Sequence, residues 1–387
     1  MNKLWAMFFA GAVVLVWHAP ILAKESIEER LANMERRIQY LEERVAAQDK
    51  VIVEKDRQLA TLSRHEDESS NSIEIGGLIE VEAAYVDPSR TDEESDVAVA
   101  TVELGIAGEL TDMASAEVVL LYEEDDTPLE VDVATMTFTP GPWVITAGQF
   151  FVPFGVFESN FISDSMTLEL GETRESALQF GFESGGMRGA LYAFNGDLDE
   201  DGESEIDSFG AAVGYSIEGE GTEFGLNLSY ISDIGDSDSL QELVTDNLGD
   251  EGVYDSQVGG WSASAQLRLG NLSLLTEYLG ATEDFEMGEM EFDGEGAEPS
   301  SYMVEAALDF ELAGMPATFA IGYQETDEAA ALELPEERFL VGLSVEMMEG
   351  IALAVEGAFD EDYGDPDTND YSGGDADIVT FQLATEF

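Results

Sequence analysis

Between Ile73 and Phe387 the chain has Arg but no Lys, and the few Arg stand in a large excess of Asp and Glu. Arg188 alternates with Gly189 and Leu191, Arg268 sits between Leu267 and Leu269, and Arg338 precedes Phe339. In an extended strand of period two, such positions turn each guanidinium away from the face its apolar neighbours occupy. Arg174 ends a long segment rich in Phe and Leu. The same alternation puts Glu80, Glu103, Glu117, Glu277, Glu305 and Glu356 on the Arg side. Two arrangements stand open. Each Arg pairs with a neighbouring carboxylate, or Arg on one wall and Glu on the other make a transverse field that orients a polar solute in a pore.

A second constellation is Asp197, Asp199 and Asp201, followed by Gly202, Glu203 and Asp207. Short carboxylates at alternate positions wrap a hard cation, and Gly permits the turn between them. Ser208 stands where a calcium loop places its bidentate Glu. The spacing therefore predicts weak calcium binding, with Kd on the order of 0.1–1 mM; in so acidic a chain it also arises from composition alone. No other cofactor is expected. Cys is absent and the two His are His18 and His65, so a disulfide framework and a Cys-ligated zinc site are excluded. No nucleophile stands beside a base, and the chain does not read as an enzyme.

Asp and Glu number 84 against 15 Lys and Arg, a formal charge of −69. That balance argues against nucleic acid as a partner and favours cations. It also suits a surface that stays hydrated in a salty or alkaline habitat.

The elements that would position these groups are strands. From Ile73 onward, polar, Gly-rich and Pro-rich breaks alternate between short and long. Short ones fall at 111–113, 139–142, 184–186, 218–221, 270–271, 313–314 and 348–350; long ones fall at 87–95, 152–174, 196–206, 233–256, 281–299, 326–335 and 361–374, with a tighter one at 124–129. This predicts an all-β, 16-stranded antiparallel transmembrane β-barrel over 73–387. The first strand carries Ile73, Ile75, Gly77, Ile79, Val81, Ala83 and Tyr85 on one face and Glu74, Gly76, Leu78, Glu80 and Glu82 on the other. A soluble β-sandwich would not explain why every second connection is short. The last strand stops on Phe387, like the assembly signal by which barrel proteins reach the outer-membrane assembly machinery.

Residues 1–23 read as a signal peptide, with Lys3 ahead of an apolar run and Ala23 at its end. Over 24–64, Ile27, Leu31, Met34, Ile38, Leu41, Val45, Ile52, Leu59 and Leu62 recur at alternating spacings of four and three, with only Gln48 and Lys55 breaking the seam, which predicts an α-helical coiled coil whose seam is roughly 54 Å long. Residues 65–72 make a polar linker. With both ends of an even-stranded barrel in the periplasm, the coiled coil lies there too, and a homotrimer in outer-membrane lipid is the economical assembly, with a dimer also permitted by these core residues.

The segment 152–174 is too apolar for an ordinary outer loop and is expected to fold inward. Here the sequence resembles the LbtU-like siderophore porins, the legiobactin-uptake family, in the run Gln149-Phe150-Phe151-Val152-Pro153-Phe154-Gly155, the step Ile162-Ser163-Asp164, and the run from Leu168 to Glu175. The resemblance implies uptake of a ferric siderophore across the bacterial outer membrane, independent of energy coupling. Two other functions stay open: a general cation-favouring diffusion porin, and a coiled-coil tether between outer membrane and cell wall.

Overall fold

A computed structural model describes residues 72–387 apart from 90–91, 125–126, 197, 199–205, 220, 250–253, 255–256 and 364–374. The signal peptide, the coiled coil with its seam from Leu31 to Leu62, and Asp197, Asp199, Asp201 and Glu203 of the acidic run all lie outside the described residues.

The chain runs through β1 (Ile73–Pro88), β2 (Glu94–Thr111), β3 (Ala114–Tyr122), β4 (Glu130–Phe138), β5 (Trp143–Phe151), α1 (Met166–Gly171), β6 (Arg174–Ser184), β7 (Met187–Phe194), β8 (Ser208–Gly219) and β9 (Thr222–Ile231). There follow α2 (Asp238–Leu248), β10 (Gly260–Leu269), β11 (Leu272–Ala281), a two-residue-stranded hairpin β12 (Glu291–Phe292) and β13 (Glu295–Gly296), then β14 (Ser300–Leu312), β15 (Met315–Asp327), β16 (Glu337–Met348), β17 (Ile351–Glu361) and β18 (Ala376–Glu386). All the strands but those of the hairpin close into one antiparallel barrel, β1 pairing with β18. That is the sixteen-strand barrel the turn pattern predicts, with every break within a few residues of where the sequence placed it.

Closure rests on the chain end, where Phe387 N donates to Gly77 O at 3.0 Å and Gly77 N to Phe387 O at 2.9 Å. The outward face is apolar because period-two alternation leaves those side chains to lipid. At the long-loop end it carries an aromatic girdle. Tyr230 is the cross-strand partner of Trp261, Tyr278 of Tyr302, and Phe339 of both Tyr323 and Phe359.

The largest buried apolar cluster lies where the loops converge on the barrel mouth. Phe154 and Leu170 of the β5–β6 loop pack with Ile234, Leu240 and Val244 of the β9–β10 loop and with Leu279, Phe285 and Met290. Each large side chain so buried contributes roughly 1.5–3 kcal/mol. The inward fold of the loop follows, because its Phe and Leu have no other place out of water.

Candidate functional site

The β5–β6 loop is fixed by its backbone as well as by its side chains. A segment without secondary structure carries N–H groups that no helix or ladder satisfies, and each must find an acceptor. Here the acceptors are lumenal side chains on β9, β11, β14, β15 and β17. Gly155 N donates to Ser229 Oγ at 3.1 Å. Val156 N and Phe157 N donate to the two oxygens of Glu277 at 2.7 and 3.0 Å. Ser159 Oγ and Asn160 N reach Glu305 at 3.1 and 3.2 Å, joined by Asn160 Nδ2. Ile162 N donates to Glu356 at 2.5 Å, Ser163 N also bonds that carboxylate, and Met166 N donates to Gln324 Oε1 at 2.8 Å. The loop is thereby laced across the wall from β9 to β17.

Glu277, Glu305 and Glu356 are 2, 2 and 3% exposed, so these three glutamates of the expected acidic wall serve the loop rather than the water path. Strand parity put the three on one face but could not show what occupies that face. Phe161 adds a steric anchor. Its ring lies on the backbone of Gly322 and Gly342, where an added Cβ would approach ring atoms to 2.5 and 3.1 Å.

The other candidates stay on the side of the lumen that the loop leaves free. Glu80 and Glu103, with Glu82, Asp164 and Glu123, lie within electrostatic range of one another. Glu82 accepts from Gln382 at 3.0 Å. Glu117 is exposed. Glu82 and Asp164 were readable in the sequence, Glu82 by the parity that gave Glu80 and Asp164 as part of the Ile-Ser-Asp step. Burial first, then Glu123 and Glu356, raises the pKa of Asp164 in the loop.

The arginines do not share a height. Arg338 makes a half-buried bidentate pair with its cross-strand partner Asp360, at 2.7 and 2.9 Å, near the long-loop end. Arg268 pairs with Asp309 at 2.9 Å near a short turn. The Arg174 guanidinium bonds Glu130 and Asp132 of β4 at 2.5 and 2.9 Å, while its backbone N donates to Asp238. Pairing therefore prevails over a common arginine wall at these three positions. Arg188 differs: it bonds Asn227 Oδ1 through Nε and Nη2 at 3.2 and 2.5 Å.

At the mouth, two carboxyls outside the strands are pushed up to about 8. For Glu172 the cause is burial, followed by Asp238, Asp164, Asp132 and Glu169. For Asp233 it is burial and then Asp236, partly offset by donors including Tyr254 Oη at 2.7 Å and Gly235 N at 2.9 Å. Among the described residues no group of three or more acidic or His side chains is arranged to hold a metal ion. Of the calcium candidates only Asp207 is described.

The architecture has clear counterparts. The outer membrane channel DcaP of Acinetobacter baumannii superimposes with a TM-score of 0.57 at 14% identity, over 82% of this chain and 97% of that one. The anion-selective porin from Comamonas acidovorans gives 0.58 at 13%, over 82% and 100%. These likenesses show the fold alone: a closed antiparallel β-barrel of the porin type. No family model matches the chain. In sequence it is 27% identical over 318 residues to a UPF0422 protein of Legionella pneumophila (strain Lens), covering 76% of this chain and 59% of that protein. A UPF0422 protein of Coxiella burnetii (strain RSA 493 / Nine Mile phase I) is 28% identical over 227 residues, 57% of this chain and 48% of that protein. The chain thus spans about three-fifths of the length of the Legionella relative it matches.

Proposed function

We propose that the protein is a passive, solute-selective channel of the outer membrane whose narrow zone favours cations. The observation that carries this is the charge left unpaired in the lumen. The β5–β6 loop covers the wall from β9 to β17, and the remaining face presents Glu80, Glu82 and Glu103, with Asp164 of the loop within electrostatic range of Glu80 and Glu82. Three of the four described arginines are already neutralised by carboxylates. A cation entering this zone meets unpaired negative charge, and an anion meets repulsion. Reversal potentials of the reconstituted protein in a KCl gradient test it. The expected sign is that of potassium preference; chloride preference would overturn the reading.

Ferric siderophore uptake without energy coupling is the narrower reading. The motif at 149–175 supports it, and so does the placement of that motif, since a selective porin needs a fixed inward loop where a tether does not. Single-channel recording with and without ferric siderophore tests it, block of the open current being the expected result. The oligomer is assigned to residues 27–62 on the strength of the heptad seam. Deleting them is expected to weaken a trimer on native gels, and unchanged oligomer size would give the segment another role, such as tethering to the cell wall.

A further inference from the structure

Arg188 and Glu158 line one polar cavity of about 500 Å³ between the β5–β6 loop and the wall, together with Glu218, Glu223 and the already engaged Arg268 and Glu305, and both also line a neighbouring cavity of about 370 Å³. Opposite charges around so small a space would be expected to close into an ion pair. These do not: among the described residues Arg188 has no carboxylate within salt-bridge distance, unlike Arg174, Arg268 and Arg338. Each charge is held instead by a neutral amide. Asn227 Oδ1 accepts from Arg188, and the amide nitrogen of Asn227 donates to Ser264 Oγ at 3.0 Å, which fixes the end turned toward the guanidinium. Gln266 Nε2 donates to Glu158 Oε2 at 2.7 Å.

Space for the guanidinium comes from Gly214, the cross-strand partner of both Arg188 and Asn227. A Cβ there would lie 2.5 Å from Arg188 Nε and 2.6 Å from Asn227 Oδ1. Among the described residues, Nη1 of Arg188 and Oε1 of Glu158 make no hydrogen bond within the protein. A donor fork and a carboxylate oxygen are thus held apart, each with capacity to spare, across a space of small-solute size.

We propose that this cavity is a binding site for small zwitterions, with the solute carboxylate on Arg188 and its ammonium group on Glu158. Amino acids and short peptides are the chemical class. A solute with both charges satisfies both fixed groups, whereas a simple anion faces Glu158 and a simple cation faces Arg188. The site rests on the channel reading only in needing a lumen open to solutes.

The test is block of potassium current through the full chain in planar bilayers by L-glutamine, with butyrate and butylammonium as single-charge probes. Glutamine is expected to half-block at concentrations at least about tenfold below either probe, the difference one charge-assisted hydrogen bond makes. Arg188→Gln and Glu158→Gln should each raise the glutamine half-block by about tenfold. Gly214→Ala keeps the charge but displaces the guanidinium, so it should raise the half-block in the same direction, and it carries the test if Arg188→Gln fails to fold as judged by heat-modifiable gel mobility. Glu349→Gln, at a short turn, should match the parent. Glutamine blocking no better than the single-charge probes, or block indifferent to the Arg188, Glu158 and Gly214 substitutions, would overturn the site. A protein that carries no current at all would sink the channel reading instead.

Discussion

At the scale of single residues, Glu277, Glu305 and Glu356 do for the β5–β6 loop what a helix or sheet would otherwise do for its backbone. Charge-assisted bonds from N–H to carboxylate are stronger than neutral ones, and removing the acceptor strands the donors. Leaving Ile162 N and Ser163 N without Glu356 costs about 1–3 kcal/mol for each buried donor. Glu356→Ala is therefore expected to free the loop tip, raising single-channel conductance and exposing the loop to protease, while Glu356→Gln, which keeps an acceptor oxygen, has the smaller effect. Equal conductance in both variants and the parent would show that Phe161 on Gly322 and Gly342 holds the tip unaided. Arg174 belongs to the same scale. Its removal leaves Asp132, 6% exposed, as an unpaired buried charge. Arg174→Ala should lower stability by up to about 3 kcal/mol, the low end for a broken buried pair, because the Arg174 side chain is itself a quarter exposed. Asp132→Asn in the same chain should recover part of that loss in a denaturant titration, whereas additive losses would mean that the two side chains do not interact.

At the scale of elements, the β5–β6 and β9–β10 loops meet at the mouth through Glu172 and Asp238, with Asp238 N donating to Glu172 O at 2.9 Å. Both Glu172 and Asp233 hold their proton to about 8 in the folded protein, above the ordinary carboxylate range. The folded state therefore binds more protons than the unfolded one, so this part of the stability is complete in acid and is lost as pH rises through about 8. The thermal midpoint of loop release is expected to fall between pH 5 and 9. Glu172→Gln with Asp233→Asn should flatten that profile, and a profile unchanged by both substitutions would place the titration elsewhere. These contacts also mark the limit of what the sequence discloses. Strand count, turns and the inward course of 152–174 were legible because period-two alternation, Gly at tight turns and misplaced Phe and Leu are local signals. The partner of Glu305 was not, since its contacts at Ser159 and Asn160 lie 146 and 145 residues away. Nor could strand parity give heights, and that is why Arg174, Arg268 and Arg338 read equally well as a wall or as separate pairs.

At the scale of the molecule, a formal charge of −69 can act in two ways that salt separates. If it serves only to hydrate the surface, added salt relieves self-repulsion and chiefly raises stability. If the lumenal share sets permeation, salt must also erode selectivity. The Debye length falls from about 10 Å at 0.1 M to about 3 Å at 1 M, so carboxylates on the free wall reach across a lumen narrowed by the β5–β6 loop at the lower strength and act only at contact at the higher. The permeability ratio of potassium to chloride is accordingly expected to be highest near 0.1 M and to decline toward 1 M. Glu80→Gln, Glu82→Gln and Asp164→Asn together should lower it at both strengths, with the greater effect in dilute salt. A ratio that ignores both salt and these three substitutions would remove the free wall as the seat of selectivity and leave the charge to the outer surface, where it meets solvent rather than solute.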